Sequence, residues 1–351
     1  MRALTVRPGV ANSLSLDDWP EPTANGRHLI VKALALGICG TDHEIIAADY
    51  GTAPPGSDRL VIGHESLGEV IEPAGDFAKG DRVVGIVRRP DPGPCRACAG
   101  GEWDMCLNGD YTERGIKAAH GYGAERFALD PAFAVEIDPA LGICGVLLEP
   151  ATILAKAWDH IERIGGRTRT WKPASVLVTG AGPVGLLAAL MGRQRELEVH
   201  VFDRETAGPK AQLVADLGGE YHSGSVEDLE RLAPDIVIEC TGAGPVVAGL
   251  MESAGIDAIM CLTGISSAKG EIQFNIGGFN RNAVLRNDVV FGAVNANRAH
   301  YEAGAKALAD ADAAWLSRVI SRRVPLERWR EAYERQDGDV KVVIDFEAGA
   351  D

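Results

Sequence analysis

The residues from Ala174 to Gly192 carry no charge, and this run restricts the fold more than any other stretch of the chain. Its length makes it a candidate membrane span, but Gly180, Gly182, Pro183 and Gly185 break it where a spanning helix needs regular backbone. It reads instead as a buried strand, Ser175–Val178, a glycine turn, and a buried helix, Pro183–Gln194. The turn, Thr179-Gly180-Ala181-Gly182-Pro183-Val184-Gly185, fits G-x-G-x-x-G. In a chain with 42 glycines such a string can arise by chance, so its place between a strand and a helix is what decides. Gly180 permits a tight turn, Gly182 lets the backbone approach a pyrophosphate, and Gly185 allows close helix–strand packing. The helix start at Pro183 and Val184 offers free N–H groups and a positive dipole end to the phosphates. The next strand, Glu198–Phe202, leads to Asp203, 23 residues beyond Gly180 and near the spacing of a ribose-binding carboxylate. A solvated acid at a strand end is the plain alternative. A dinucleotide-binding domain is expected.

The alternation around this motif sets the domain type. After the helix Ala151–Ile164, strand-like and helix-like segments take turns: Pro209–Leu217 as a helix, then Ile236–Glu239, Ala258–Leu262 and Val289–Val294 as short apolar runs. Such alternation predicts parallel strands with crossover helices on both faces, a doubly wound sheet. The first 140 residues differ. Short β-type runs (Leu29–Leu34, Leu67–Glu72, Arg82–Val87, Phe133–Ile137) stand between Gly- and Pro-rich loops, densest over Pro90–Gly101. A late β-type run, Val340–Phe346, follows a helix around His300–Ala309 and has the character of the first region. The expectation is an α/β chain: a mostly β domain, 1–155 and 298–351, split around a Rossmann domain, 156–297.

Fifty acidic residues against 35 basic ones leave a net charge of −15, which repels phosphate backbones and anionic lipid. Neither nucleic acid nor a membrane is an expected partner. Seven cysteines in 351 residues do not make a secreted disulfide scaffold. The first residues carry no apolar run of signal-peptide length, so the cytoplasm is the expected location. Cys144, Cys240 and Cys261 lie in apolar runs and read as buried, inert thiols.

Gly37-Ile38-Cys39-Gly40-Thr41-Asp42-His43 and Gly63-His64-Glu65 form a second constellation, with Leu148-Glu149-Pro150 further on. A thiolate, an imidazole and carboxylates suit a borderline-soft ion such as zinc, and three protein ligands leave a position for water or substrate. A buried cysteine and an ordinary histidine would explain either residue alone.

With both constellations in one chain, the sequence resembles the zinc-dependent medium-chain dehydrogenases along its whole length. Within them it is similar to the archaeal-type glucose 1-dehydrogenase branch. Gly37–Glu44, Gly63–Glu65, Glu149-Pro150 and Val289–Tyr301 carry the closer likeness. The resemblance implies a GroES-like catalytic domain in which Cys39, His64 and Glu65 ligate a catalytic zinc. Glu149 would lie beside the metal as alternate ligand or substrate contact, and Thr41 would place a hydroxyl near the metal-bound oxygen. Glu113 and Asn295 match positions that hold sugar hydroxyls. Cys95, Cys98 and Cys106 match the last three of the superfamily's four structural-zinc cysteines, Pro92 replaces the first, and Asp91 is the expected substitute ligand; a lobe that no longer holds metal is the plain alternative. The implied activity is oxidation of an aldose, glucose first, at its anomeric carbon, giving the lactone. Asp203 favours NAD, whereas Arg204 can pair with the 2′-phosphate of NADP, so NAD is expected to be preferred and NADP tolerated. A polyol or simple alcohol would use the same groups. A metal-free quinone-reductase relative or a non-catalytic nucleotide-binding module would lack Cys39 and His64. The family also implies a homo-oligomer, dimer or tetramer.

Overall fold

A computed structural model describes residues 1–253, 255–266 and 271–348. The expected end of the second β segment, 349–351, lies outside them. The chain divides into two compact units, Met1–Thr152 with Asn295–Asp351, and Ile153–Val294. Both divisions fall three residues earlier than the sequence reading placed them. The first lies inside a continuous helix, Leu148–Gly165, where no break in periodicity marks it.

The first unit is built on a sheet whose strands come from both ends of the chain. In chain order its main strands are β1 (Leu29–Gly37), β2 (Glu65–Glu72), β3 (Arg82–Gly85) and β4 (Ala134–Glu136). Beyond β1, the short helix α1 (Gly40–Ile46) begins within three residues. The main helix of the second unit's nucleotide motif is α2 (Pro183–Gln194).

Among the described residues the second unit holds six strands: β5 (Ser175–Thr179), β6 (Glu198–Phe202), β7 (Glu220–His222), β8 (Ile236–Glu239), β9 (Ile259–Leu262) and β10 (Val289–Gly292). All pair in parallel, in the order β7-β6-β5-β8-β9-β10. The order reverses direction at β5 and β8, and this is where a doubly wound sheet opens a crevice at its carboxyl ends. The uncharged run resolves as expected, into strand β5, a turn and helix α2. Leu186 to Met191 are buried, so the absence of charge reflects a core and not a lipid environment.

The chain then returns with β11 (Ile320–Pro325) and β12 (Lys341–Asp345). In the first unit the order is β4-β3-β2-β1-β12-β11, with Val343 of β12 opposite Gly37 of β1. Leu36, Val70, Val83, Tyr122, Trp329 and Ile344 belong to one buried cluster that draws on both segments. Removing that apolar surface from water is the main force holding the late strand to the early ones. Among the described residues one helical run, Pro139–Gly165, is long and apolar enough to cross a membrane by length and composition, and 67% of its apolar window is buried inside the protein.

Candidate active site and nucleotide site

The first cluster is assembled by strand register. Gly37, the last residue of β1, lies opposite Glu65, the first of β2. A Cβ on Gly37 would fall 1.9 Å from Glu65 Oε2, so only glycine leaves room for that carboxylate. Gly63 has φ of 90°, and a Cβ there would meet Leu36 at 2.7 Å. This turn delivers His64 and Glu65 into the interior, where both are buried. Cys39 enters from the other side as the residue capping α1. Its backbone N–H donates to Asp42 Oδ2 at 2.9 Å.

The ligand atoms of Cys39, His64 and Glu65 lie within 4.8 Å of one another. His64 Nδ1 faces Asp42 Oδ1 at 3.6 Å, and neither atom has a hydrogen-bond partner. A carboxylate behind the second ring nitrogen is the usual support of a metal-ligating histidine. Burial alone would lower the His64 pKa, but the charge of Asp42, with Cys39, outweighs it and raises the pKa well above the ordinary value. One soft, one borderline and one hard donor, held together in the interior, fit a zinc ion. Lys341 of β12 closes the group from behind. Its Nζ donates to both Glu65 oxygens at 2.7 Å and to the Ile38 carbonyl at 3.0 Å.

Glu149 stands outside this three-ligand group but within its field. Burial raises its pKa to about 7; His64 and Lys341 pull down against it, while Glu65 and Asp42 push up. Thr41 is partly exposed in the first turn of α1. Glu113 and Asn295, expected to hold sugar hydroxyls, are brought together. Asn295 Nδ2 donates to Glu113 Oε1 at 2.7 Å, and Arg88 donates to the same oxygen through Nε at 3.1 Å and Nη2 at 2.9 Å. Glu113 Oε2 carries none of these bonds. Asn295 takes a left-handed φ of 61°, a conformation asparagine tolerates better than most residues.

The second cluster unites Cys95, Cys98 and Cys106, whose sulfurs lie within 4.8 Å of one another. The Asp91 carboxylate is not part of it. Asp91 Oδ1 accepts from Gly93 N at 2.8 Å and Oδ2 from Asn108 Nδ2 at 2.6 Å, so both oxygens are used in folding the loop. Cys95 Sγ accepts from Cys98 N at 3.5 Å and from Leu107 N at 3.4 Å, and these donors lower its pKa to about 6. Burial pushes the Cys98 thiol up to about 11. Of the three thiols expected to be inert, Cys144 and Cys261 are buried. Cys240 is only half-buried, and desolvation still raises its pKa to about 12.

In the second unit the glycine turn meets the requirements of its motif. Gly180 has φ of 87°, and a Cβ on Gly185 would fall 1.7 Å from the Gly180 carbonyl oxygen. The Cβ position of Gly182 faces open space, the room a pyrophosphate would take. Asp203 is nearly buried, and its Oδ2 accepts from Ala181 N at 2.6 Å and Oδ1 from Glu205 N at 3.1 Å. Arg204 is exposed. Pro183 and Val184 open helix α2 after Gly182, its N-cap residue.

Residues 25–139 match the alcohol dehydrogenase GroES-like domain, and residues 142–346 match the family described as glucose dehydrogenase C-terminus. The glucose 1-dehydrogenase of Methanocella arvoryzae is 39% identical over 99% of this chain and 100% of its own length. The chain belongs to the glucose dehydrogenase family. This is the archaeal-type branch of the zinc-dependent medium-chain dehydrogenases to which the motifs pointed. The glucose 1-dehydrogenase of Thermoproteus tenax is 38% identical, covering 98% of this chain and 99% of that one. Among solved structures, Haloferax mediterranei glucose dehydrogenase in complex with NADP, Zn and gluconolactone has a TM-score of 0.92 at 29% identity, covering 99% of each chain.

Three charged residues that matter in this glucose dehydrogenase fold are not singled out by the sequence: Arg88, which orients Glu113, Lys341 and Glu239. Lys341 is a single lysine opening the strand that runs on through Val342, Val343 and Ile344, and its place before that apolar run was its signal. Glu239 ends strand β8 and is fully buried. Its carboxylate accepts from Thr179 Oγ1 at 3.2 Å, Thr241 N at 2.7 Å and Gly242 N at 3.1 Å, tying the turn after β8 to the end of β5. An acid closing the apolar run Ile236–Ile238 marked it in the same way as Asp203.

Proposed function

We infer that this chain oxidises an aldose, glucose first, at the anomeric carbon, with hydride passing to a nicotinamide cofactor and the aldonolactone as product. One observation carries the reading: a half-buried thiol converges with a buried imidazole and a buried carboxylate in a chain related along its whole length to glucose dehydrogenases. Zinc held by Cys39, His64 and Glu65 would supply a Lewis acid that lowers the pKa of the sugar hydroxyl. Lys341 fixes the Glu65 carboxylate and offsets its charge. Thr41 supplies a hydroxyl two residues from Cys39 for relaying the released proton, and Glu149, with its pKa near neutrality, is matched to receive it. Glu113, oriented by Arg88 and Asn295, offers Oε2 as an acceptor for sugar hydroxyls. A polyhydroxylated substrate makes use of this polar group, and an aliphatic alcohol does not.

Initial rates on aldoses, polyols and primary alcohols test the reading. Glucose should lead, with galactose and xylose slower. Glu113→Ala and Asn295→Ala should raise KM for the sugar about tenfold or more, with KM for the cofactor little changed. Turnover of sorbitol or ethanol with none of any aldose would overturn it.

NAD is preferred and NADP tolerated in this reading. Two backbone N–H groups tether Asp203, so its carboxylate cannot turn away from a 2′-phosphate, whereas exposed Arg204 is free to pair with one or swing to solvent. Asp203→Ala should move the specificity ratio toward NADP about tenfold, or about 1.4 kcal/mol. A wild-type kcat/KM already higher for NADP would assign the choice to Arg204. The lobe of Cys95, Cys98 and Cys106 holds a second, structural zinc in this scheme, and the enzyme works in the cytoplasm as a dimer or tetramer.

A further inference from the structure

Strands β6 and β7 place four polar side chains on one face of the nucleotide-binding sheet. His200 lies opposite Glu220, and Phe202 opposite His222, so His200, Glu220 and His222 share that face with Glu198. His200 is almost fully buried, His222 is partly buried and Glu220 is exposed. Buried histidines are ordinarily satisfied by a carbonyl or a carboxylate. Here the shortest polar contact of each ring is the other ring: His200 Nδ1 and His222 Nε2 are 3.0 Å apart. Glu220 stands over the pair, Oε2 at 3.6 Å from His200 Nδ1 and Oε1 at 3.8 Å from His222 Nε2. Glu198 Oε1 is 3.5 Å from the other nitrogen of His200.

Two imidazole nitrogens at this distance share either a proton or a cation. With metal–nitrogen bonds of about 2.0–2.1 Å, tetrahedral ligands stand roughly 3.3 Å apart. The three ligand atoms already lie within 4.8 Å of one another, so side-chain movements of a few tenths of an ångström would complete the set. Two imidazoles and one carboxylate suit zinc, cobalt or nickel, and the accessible Glu220 side leaves an entry and a water position. Glu198 would then support the ligating ring of His200 from its second nitrogen.

We propose that His200, Glu220 and His222 form a further divalent transition-metal site, separate from both thiol clusters, which clips the edge strand β7 to β6. The clip lies close to the cofactor machinery, because Asp203 N donates to the carbonyl of His222 at 3.0 Å. An ion here therefore stiffens the strand ends that carry the ribose-binding carboxylate. The site involves no thiol, and that makes it separable by spectroscopy.

The test uses the untagged full-length protein carrying zinc at its two thiol clusters only, two per chain by metal analysis, titrated with Co2+ alone. The expected result is one further cobalt per chain, with visible ligand-field absorption and no sulfur-to-cobalt charge-transfer band. His222→Ala should abolish that equivalent. Glu220→Gln, an exposed position that leaves folding untouched, should weaken it by on the order of tenfold, and the zinc content should stay constant in both. Absence of the extra equivalent in wild type would overturn the proposal. So would equal cobalt affinity in wild type and both variants, or a charge-transfer band showing entry into the thiol clusters.

Discussion

Cys39 and Cys95 each stand at the start of a short helix, yet their thiols are put to different uses. At α1 the Asp42 carboxylate takes the Cys39 N–H, and the Cys39 thiol faces His64. In the lobe the Cys95 sulfur itself accepts the backbone N–H groups of Cys98 and Leu107. In the first cluster the imidazole and carboxylate are enclosed, and buried charges (Asp42, Glu65, Lys341) set its electrostatics. The second lies in a partly exposed loop and is governed by local backbone dipoles. Charge buried in a low-dielectric interior acts strongly on its neighbours, and dipoles beside solvent act weakly and locally. One arrangement suits tuning a reaction, the other suits holding a loop.

The hardest test of that contrast is to remove one sulfur from each cluster. Cys39→Ser should lower kcat/KM on the order of a thousandfold, the several kcal/mol of charge stabilisation a Lewis acid supplies, and cost one zinc per chain. Cys95→Ser should also cost one zinc but leave kcat/KM within about threefold, since dipoles in an exposed loop do not reach the reacting atoms. Metal analysis and steady-state rates on both variants read the two effects together. A large loss of turnover from Cys95→Ser, or full activity in Cys39→Ser, would erase the distinction.

Lys341 sharpens it further. Nζ and the Glu65 carboxylate are each about 2% exposed, so neither has water to fall back on. Lys341→Met should leave a buried carboxylate uncompensated and destabilise the metal-free protein by about 3–5 kcal/mol, measured by urea unfolding. The corresponding removal in the lobe, Asn108→Ala beside Asp91, should cost no more than about 1 kcal/mol, because that bond is only part-buried. Equal costs would mean that burial does not separate the two regions.

What the sequence made legible follows the same line between local and distant causes. The glycine turn was readable because its demands are met within six residues: Gly185 cannot carry a Cβ beside the Gly180 carbonyl. Cys39, His64 and Glu65 were readable from the turns that flank them. Lys341 was not, since its meaning depends on a partner 276 residues away and on the register that sets β12 beside β1. Asp91 is a different case. An acid one position from a missing cysteine reads as its replacement, yet its oxygens accept from Gly93 N and Asn108 Nδ2 and it does not join the three gathered sulfurs. Spacing along the chain gives proximity and says nothing about the direction in which a side chain is turned. The unit boundary at Thr152 was hidden for a related reason, lying within a helix whose periodicity continues unbroken through it.

The smallest effect separates two thiols within the lobe itself, in protein stripped of zinc. Backbone N–H donors from Cys98 and Leu107 bring the Cys95 pKa to about 6, and burial takes Cys98 to about 11. At pH 7 about nine-tenths of Cys95 is thiolate, against roughly one part in ten thousand of Cys98, and only the thiolate attacks. Nucleophilicity opposes this, because a thiolate of lower pKa is intrinsically less reactive. With a Brønsted slope of about 0.4–0.5, the difference of about five pKa units returns on the order of a hundredfold to Cys98. Population wins over reactivity, so a small aromatic disulfide should modify Cys95 on the order of a hundredfold faster, read by peptide mass spectrometry. Lowering the pH from 7 to 5 passes through the Cys95 pKa from the thiolate side and should slow its modification about tenfold. Restoring zinc should protect both sulfurs. Equal rates at the two residues, or a Cys95 rate indifferent to pH over that range, would show that backbone dipoles do not govern the lobe and would remove its contrast with the buried cluster.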